Sequence, residues 1–427
     1  MWFKNNTISP VTVLLTVLLL TLSLSAEAEH SAVVFRGRTT HALNYCPVVL
    51  PLDSISEFTT AQRDSLVVYL NGNELPSQLD DTNADGVPDE LSFLVSLSRH
   101  SRYTLEIRTS SQRPTYPQEV WAEMYLKGPI GGDFQRHTAE GKTYGIKAVS
   151  QQTFYPADKS FRLMHHHGVA FESEEMAYRI YFDPRQTIDV YAKRHPQLEL
   201  QQSLWYPNDS LLTLGYGDDV LKVGNTIGVG SVRPWQNNKL NKIQPFTSRT
   251  QRIISRGPIR TIVEVEVRGW QPVPSSPDTV TMRLRYTLFA HHRDAFCEVF
   301  LSSPVPSLVT GVQRVGNGPS KYIDCSVASW GTDWPVNDTI KYPKETIGLA
   351  VYVPKVYHAQ QVGDALNTLI QLQPTTYLCF HLTVVSLKEN NPPATTPRQF
   401  WSFVTQWQQT LLKNQSFTNQ LLSTSQR

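Results

Sequence analysis

Tyr178-Arg179-Ile180-Tyr181-Phe182 and, after Asp183-Pro184-Arg185-Gln186-Thr187, the run Ile188-Asp189-Val190-Tyr191-Ala192-Lys193 decide how this chain is read. Side chains alternate between the two faces of a strand, so Tyr178, Ile180 and Phe182 fall on one side and Arg179 and Tyr181 on the other. The second run repeats the pattern, with Ile188, Val190 and Ala192 opposed to Asp189, Tyr191 and Lys193. A hairpin closed by the Asp-Pro turn gathers Arg179, Tyr181, Asp189, Tyr191 and Lys193 on one polar surface. A sheet face bearing both charge and phenol predicts a sugar site better than a solvated exterior. Just upstream, His165-His166-His167-Gly168-Val169-Ala170-Phe171-Glu172-Ser173-Glu174 places three histidines and two acids at its entry.

The same periodicity extends outward and predicts a mostly β protein. Thr261-Ile262-Val263-Glu264-Val265-Glu266-Val267 puts three valines on one face and both glutamates on the other. Met282-Arg283-Leu284-Arg285-Tyr286-Thr287-Leu288 does so with two arginines. Many such runs between Gly, Pro and Asn turns predict a large antiparallel sandwich over 115–388. Short runs such as Leu66-Val67-Val68-Tyr69-Leu70 and Tyr103-Thr104-Leu105-Glu106-Ile107 predict a small N-terminal β-sandwich over 29–112, with Ser110–Pro114 as linker. The tail differs. Thr396-Pro397 is an N-cap followed by proline at the first helical position. Phe400, Val404, Trp407 and Leu411 then share a helical face, predicting a C-terminal helix over 396–415 and a polar, frayed end beyond it.

Lys4, the apolar run Val11 to Leu24 and Ala26-Glu27-Ala28 have the order of a signal peptide over 1–28, whose apolar run is shorter than the roughly 20 residues of a spanning helix. An exported, periplasmic or extracellular protein is expected, with no membrane span in the mature chain. Some 400 residues remain, room for one large or two moderate domains. The formal charge is +2, from 39 basic and 37 acidic residues, which argues against nucleic acid as a partner. Cys46, Cys297, Cys325 and Cys379 contain no C-x-x-C pair, so cysteine-rich zinc sites are excluded; disulfides and buried free thiols both remain open. Nothing in the chain indicates an organic cofactor or an oligomeric state.

Asp81, Asn83, Asp85 and Asp89, with Gly86 at position six, have the spacing of a calcium loop's first half, but Ser92 stands where its closing glutamate belongs. A structural Ca²⁺ and a plain acidic turn held by Asx hydrogen bonds are the two readings. Adjacent histidines suit metal poorly, because strand neighbours diverge. His165 and His167 share a face in that reading, and His292 or Glu172 would be the third ligand. As a general base, His166 or His167 needs only a carboxylate such as Glu172 to fix its tautomer. Among nine tryptophans most belong in cores; Trp235, Trp330 and Trp334 sit in loop-like sequence and are the better candidates for stacking on sugar.

The pieces His166-His167-Gly168, Phe171-Glu172-Ser173-Glu174, Tyr178-Arg179-Ile180-Tyr181 and Thr187-Ile188-Asp189-Val190-Tyr191-Ala192-Lys193, with Gly217-Asp218-Asp219-Val220-Leu221-Lys222-Val223-Gly224 and Ser255-Arg256-Gly257-Pro258, resemble a secreted bacterial family. It belongs to polysaccharide-utilisation loci and was long known only as a domain of unknown function. The resemblance covers nearly the whole mature chain. It implies a galactose-mutarotase-like β-supersandwich behind the small β-domain, and a dehydratase acting on uronate oligosaccharides from ulvan breakdown. An acidic oligosaccharide is then the expected partner. His167 or His166 would abstract the proton α to the carboxylate, Glu172 would orient the base, and Tyr181 or Tyr191 would protonate the leaving oxygen. Arg179, Lys193 and Arg185 would offset the developing charge, with Asp189, Asp218, Trp235 and His292 as further substrate contacts. The rival classes are a glycoside hydrolase, with Glu172 and Glu174 and a partner acid such as Asp189 or Asp219, and a non-catalytic carbohydrate-binding protein.

Overall fold

Alternate residues of the β-runs are buried, and the buried ones face one another across pairs of sheets. The computed structural model describes residues 32–125, 148–152, 161–162, 164–273 and 275–424. The segment 1–28, expected to be a signal peptide, lies outside them. Among the described residues no helix is long and apolar enough to cross a membrane.

The fold is mostly β, as the periodicity predicts. Ala32–Arg38, Arg102–Thr109, Leu66–Leu70 and Asn73–Leu75 form one N-terminal sheet in that order, and Leu43–Pro51, Glu90–Leu97 and Ser77–Asp80 form a second. Phe35, Val48, Leu50, Phe93, Val95 and Ile107 fill the space between them. The large sandwich carries a nine-stranded antiparallel sheet running from Ser320–Ile323 to Ala148–Gln152, with Arg260–Trp270 and Val280–Phe289 near its centre. Val263, Val265, Val267, Leu284 and Tyr286 point from it into the main core. Tyr178, Ile180, Phe182, Ile188 and Val190 meet them from a five-stranded sheet, as the alternation requires. Its order is Asp218–Asp219, Ile188–Ala192, Met176–Tyr181, Gly168–Ser173, Val120–Glu123, and Arg179 pairs in register with Asp189. The opposite, polar face of this sheet carries the candidate site.

The two sandwiches are joined by charge. Buried Arg260 reaches Asp80 at 2.7 Å and Glu90 at 2.5 Å, and Gln78 Oε1 accepts from the backbone N–H groups of Ile259 and Arg260 at 2.7 and 2.9 Å. All four thiols are free.

The C-terminal helix starts where the cap predicts: Thr396 Oγ1 accepts from Gln399 N, and Pro397 is its first residue. Its end differs from expectation. The helix continues to Thr424, because Phe417 and Leu421 keep the buried phase and enter the N-terminal core. Phe400, Val404 and Trp407 pack instead against Trp330, Ala350 and Tyr352 of the large sheet. One helix therefore closes two cores. Leu421→Ala is expected to lower stability by about 2–5 kcal/mol in urea denaturation. A loss below about 1 kcal/mol, the size of a surface change, would contradict this packing.

Candidate functional site

Arg179 projects from the middle of the five-stranded sheet and is 3% exposed. Its Nε and Nη2 donate to Asp189 Oδ2 at 3.0 and 2.7 Å, and Nη2 also reaches Asp219 Oδ2 at 2.9 Å. Nη1 donates to the Tyr206 hydroxyl at 2.7 Å, and Nη2 approaches the Tyr181 hydroxyl at 3.3 Å. The guanidinium lies 4.5 Å over the Trp205 ring, whose Nε1 donates to Asp219 at 3.2 Å. The remaining carboxylate oxygens accept from the backbone N–H of Val190 and Leu221. Burial pushes the Asp189 and Asp219 carboxyls up, and repulsion by Asp189 takes Asp219 further, well above the ordinary range; Arg179 opposes both. Burial alone would weaken the guanidinium charge, but the two carboxylates hold it.

A second buried network lies beside the first. Lys193 Nζ donates to Glu172 Oε2 at 2.5 Å, to Gln197 O at 2.6 Å and to the Ser173 carbonyl. Glu172 also accepts from the N–H groups of Glu199 and Leu200 at the start of the short Leu200–Ser203 helix. Glu199 accepts from the Tyr191 hydroxyl at 2.7 Å and from Gly217 N at 2.8 Å. A Cβ on Gly217 would sit 1.8 Å from the Ala192 carbonyl oxygen, so only glycine fits there. These contacts fasten residues 197–217 over the sheet and hold Trp205 and Tyr206 above Arg179.

The open part of the site is a cavity of about 420 Å³. His167, Tyr181, Arg185, Tyr206 and Lys222 line it above the Arg179 cluster, and Pro335–Asn337 form the far wall. His167 is held in a left-handed turn (φ 64°) rather than in a strand. Its ring stacks on Tyr181, with centroids 5.5 Å apart and planes at 26°, and its Nδ1 lies 3.3 Å from the Phe161 carbonyl oxygen. That carbonyl selects the Nδ1–H tautomer and puts the basic lone pair on Nε2. Burial pushes the Tyr181 phenol far up, against the neighbouring Arg179, so it is protonated at neutral pH. Arg185 is tied to Asp183 at 2.5 Å and to the Gly224 carbonyl at 2.6 Å. Lys222 is exposed at the rim.

Of the expected residues, Arg179, Tyr181, Asp189, Arg185 and His167 come together. Tyr191, Lys193 and Glu172 share the sheet face but lie beneath the 197–217 cover, where they hold structure. His166 is buried 2.8 Å from Glu123, not at the cavity. Asp218 accepts from Asp219 N and, one residue out of phase, is turned away from Arg179. Glu174 binds His291 at 2.6 Å, so it does not pair with Glu172. His292 bonds Asp294 at 3.0 Å, lining a different cavity. Trp235 packs with Ile227, Val309 and Leu369, and Trp330 with Phe400. In the acidic loop, Asp81 accepts from the N–H groups of Ala84, Asp85 and Gly86. Asn83 accepts from Asp85 N, Asp85 from Val87 N, and Asp89 from Thr82. Among the described residues no group of three or more His, Cys, Asp or Glu side chains is placed to hold a metal ion. The reading of single strands missed Tyr206 and Lys222 as lining residues. Lys222 stood in a quoted motif, but only the fold brings either residue to the cavity.

A family model described as Domain of unknown function (DUF4861) matches residues 39–415. No curated protein matches the chain. Among solved structures, a glycosyl hydrolase family 38 protein from Enterococcus faecalis aligns at 8% identity with TM-score 0.38, over 84% of this chain and 45% of its own. An α-mannosidase from Enterococcus faecalis V583 aligns at 8% identity with TM-score 0.34, over 84% and 42%. The chain thus spans less than half the length of either.

Two substitutions test the buried networks. Lys193→Ala strands the Glu172 carboxylate and is expected to destabilise by about 3–5 kcal/mol, measured by denaturant unfolding. The raised carboxyls of Asp189 and Asp219 bind protons more readily folded than unfolded, so their contribution to stability is complete below the ordinary value of 3.8 and is lost as pH rises through the raised folded value. Asp219→Asn should therefore flatten the decline in melting temperature as pH rises above about 4; an unchanged slope would refute the assignment.

Proposed function

The chain belongs to the DUF4861 family, and from that premise we propose that it is an exported carbohydrate-active enzyme that eliminates water from an acidic sugar. The observation that carries this is the His167–Tyr181 pair: a base and a proton-bearing phenol stacked together at one cavity, with cationic Arg185 and Lys222 at its edge. An acid α-carbon gives up its proton only if the charge arriving on the carboxylate is offset. Lys222 and Arg185 supply positive charge where a uronate carboxylate enters. His167 Nε2 takes the α-proton, the C–H electron pair becomes the new C=C bond, and the β C–O bond breaks. Tyr181 gives its proton to the departing oxygen, which leaves as water. The imidazolium proton then restores the phenol, so the protein ends as it began.

Arg179 is held by Asp189, Asp219, Tyr181 and Tyr206, and its place in this scheme is to position the phenol. The engagement of the two carboxylates weighs against hydrolysis. Asp189 and Asp219 are a close acid pair, but both bind Arg179 through Oδ2 and a backbone N–H through Oδ1. A hydrolase needs one carboxyl group to protonate the leaving oxygen and the other to attack or to activate water.

The test is incubation with saturated and unsaturated uronate oligosaccharides, following enoate absorbance and product mass. Loss of one water is expected; gain of water would mean hydrolysis, and binding without change a non-catalytic module. His167→Ala and Tyr181→Phe should each lower kcat by about 10²–10⁴ with the melting temperature kept, the usual span for a positioned proton transfer. Full activity in both variants would overturn the assignment.

A further inference from the structure

The C-terminal helix carries a polar residue where its packing phase requires an apolar one. Val404, Trp407, Leu411, Asn414, Phe417 and Leu421 follow at spacings of three and four, the stripe a helix turns toward its core. Asn414 is 9% exposed, and among the described residues no protein group bonds its carboxamide. Beneath it lies a cavity of about 450 Å³, enclosed by the helix, the Leu43–Pro51 strand and the outer face of the nine-stranded sheet. Gln415 and Asn419 line it from the same helix, and neither carboxamide has a protein partner among the described residues. Phe296, Tyr352, Tyr357 and Tyr377 form the opposite wall.

Its closed end is set by Asp294. Burial alone would raise this carboxyl, but the His292 hydrogen bond and charge, with smaller help from His381 and Trp407, together take it down to about 2. Burial pushes His381, 3.9 Å away, down to about 4, so that ring is neutral at pH 7. His292 is raised by Asp294 against its burial. Asp294 is thus already paired with His292, and among the described residues no Lys, Arg or Glu lines the cavity. This is unlike the cationic edge of the first site.

We propose that this cavity binds a neutral sugar residue, with an aromatic wall against its C–H face and the helix carboxamides and Asp294 on its hydroxyls. A hydrocarbon ligand would leave the buried Asn414 carboxamide unpaired, at a cost of about 1–3 kcal/mol. An anion would meet Asp294 and no free cation. The volume falls in the range of small-ligand sites, about 300–1,000 Å³. Such a ligand bridges the helix to both sandwiches, so binding also raises the melting temperature.

The test uses the full chain with methyl glycosides of neutral hexoses, deoxyhexoses and pentoses, read by calorimetry and thermal shift. Saturable binding of at least one is expected, unchanged in His167→Ala and weakened at least about tenfold in Asn414→Ala/Asn419→Ala, the equivalent of one hydrogen bond. Asn414→Leu completes the apolar stripe, so it should keep or raise the melting temperature while removing the binding. No saturable binding by any glycoside would overturn the proposal. So would affinity unchanged by the Asn414 variants, affinity lost in His167→Ala, or a lowered melting temperature in Asn414→Leu. Because the His167 variant keeps this site, failure here is separable from failure of the dehydratase reading.

Discussion

A buried guanidinium shared between two carboxylates is the constraint around which the site is arranged. Arg179 cannot be buried without counter-charge, and one carboxylate would leave its other N–H groups bare. Asp189 answers from the next strand and Asp219 from the strand beyond it. Burial disfavours the ionisation of both carboxyls, and the nearby Asp189 charge disfavours that of Asp219 further. The aromatic rings of Trp205, Tyr206 and Tyr181 close over the cluster. A network so fully satisfied is rigid. It offers the cavity a fixed phenol and histidine rather than a mobile arginine.

Alternation made the polar face legible. Arg179, Tyr181 and Asp189 are where a two-residue period puts them, and the valines of 263–267 are in the core. The same rule could not distinguish Tyr181 from Tyr191. Both leave the sheet on one side, but residues 197–217 lie over Tyr191, Lys193 and Glu172, and a face pattern carries no information about what covers it. The histidines failed for another reason. His165-His166-His167 form a turn, with His167 at positive φ, so strand parity does not apply. His166 turns to Glu123 and only His167 reaches the cavity.

The tail shows how one residue can hide a pattern. Asn414 interrupts an apolar stripe that resumes at Phe417, and a reading that stops at the last hydrophobic match ends the helix too early. His292 was recognised as chemically notable, yet its partner Asp294 and its cavity belong to the other face of the large sheet. His292 Nε2 meets the Tyr45 carbonyl of the N-terminal sandwich at 2.8 Å, a contact between residues 247 positions apart that a local pattern cannot show.

Phe417 and Leu421 complete a core whose other members are all drawn from residues 33–107. The N-terminal sandwich is translated well before the helix whose side chains complete its core, so that core cannot be closed by its own strands alone. Closing it is a contact between segments about 300 residues apart, the kind of long-range pairing that slows folding.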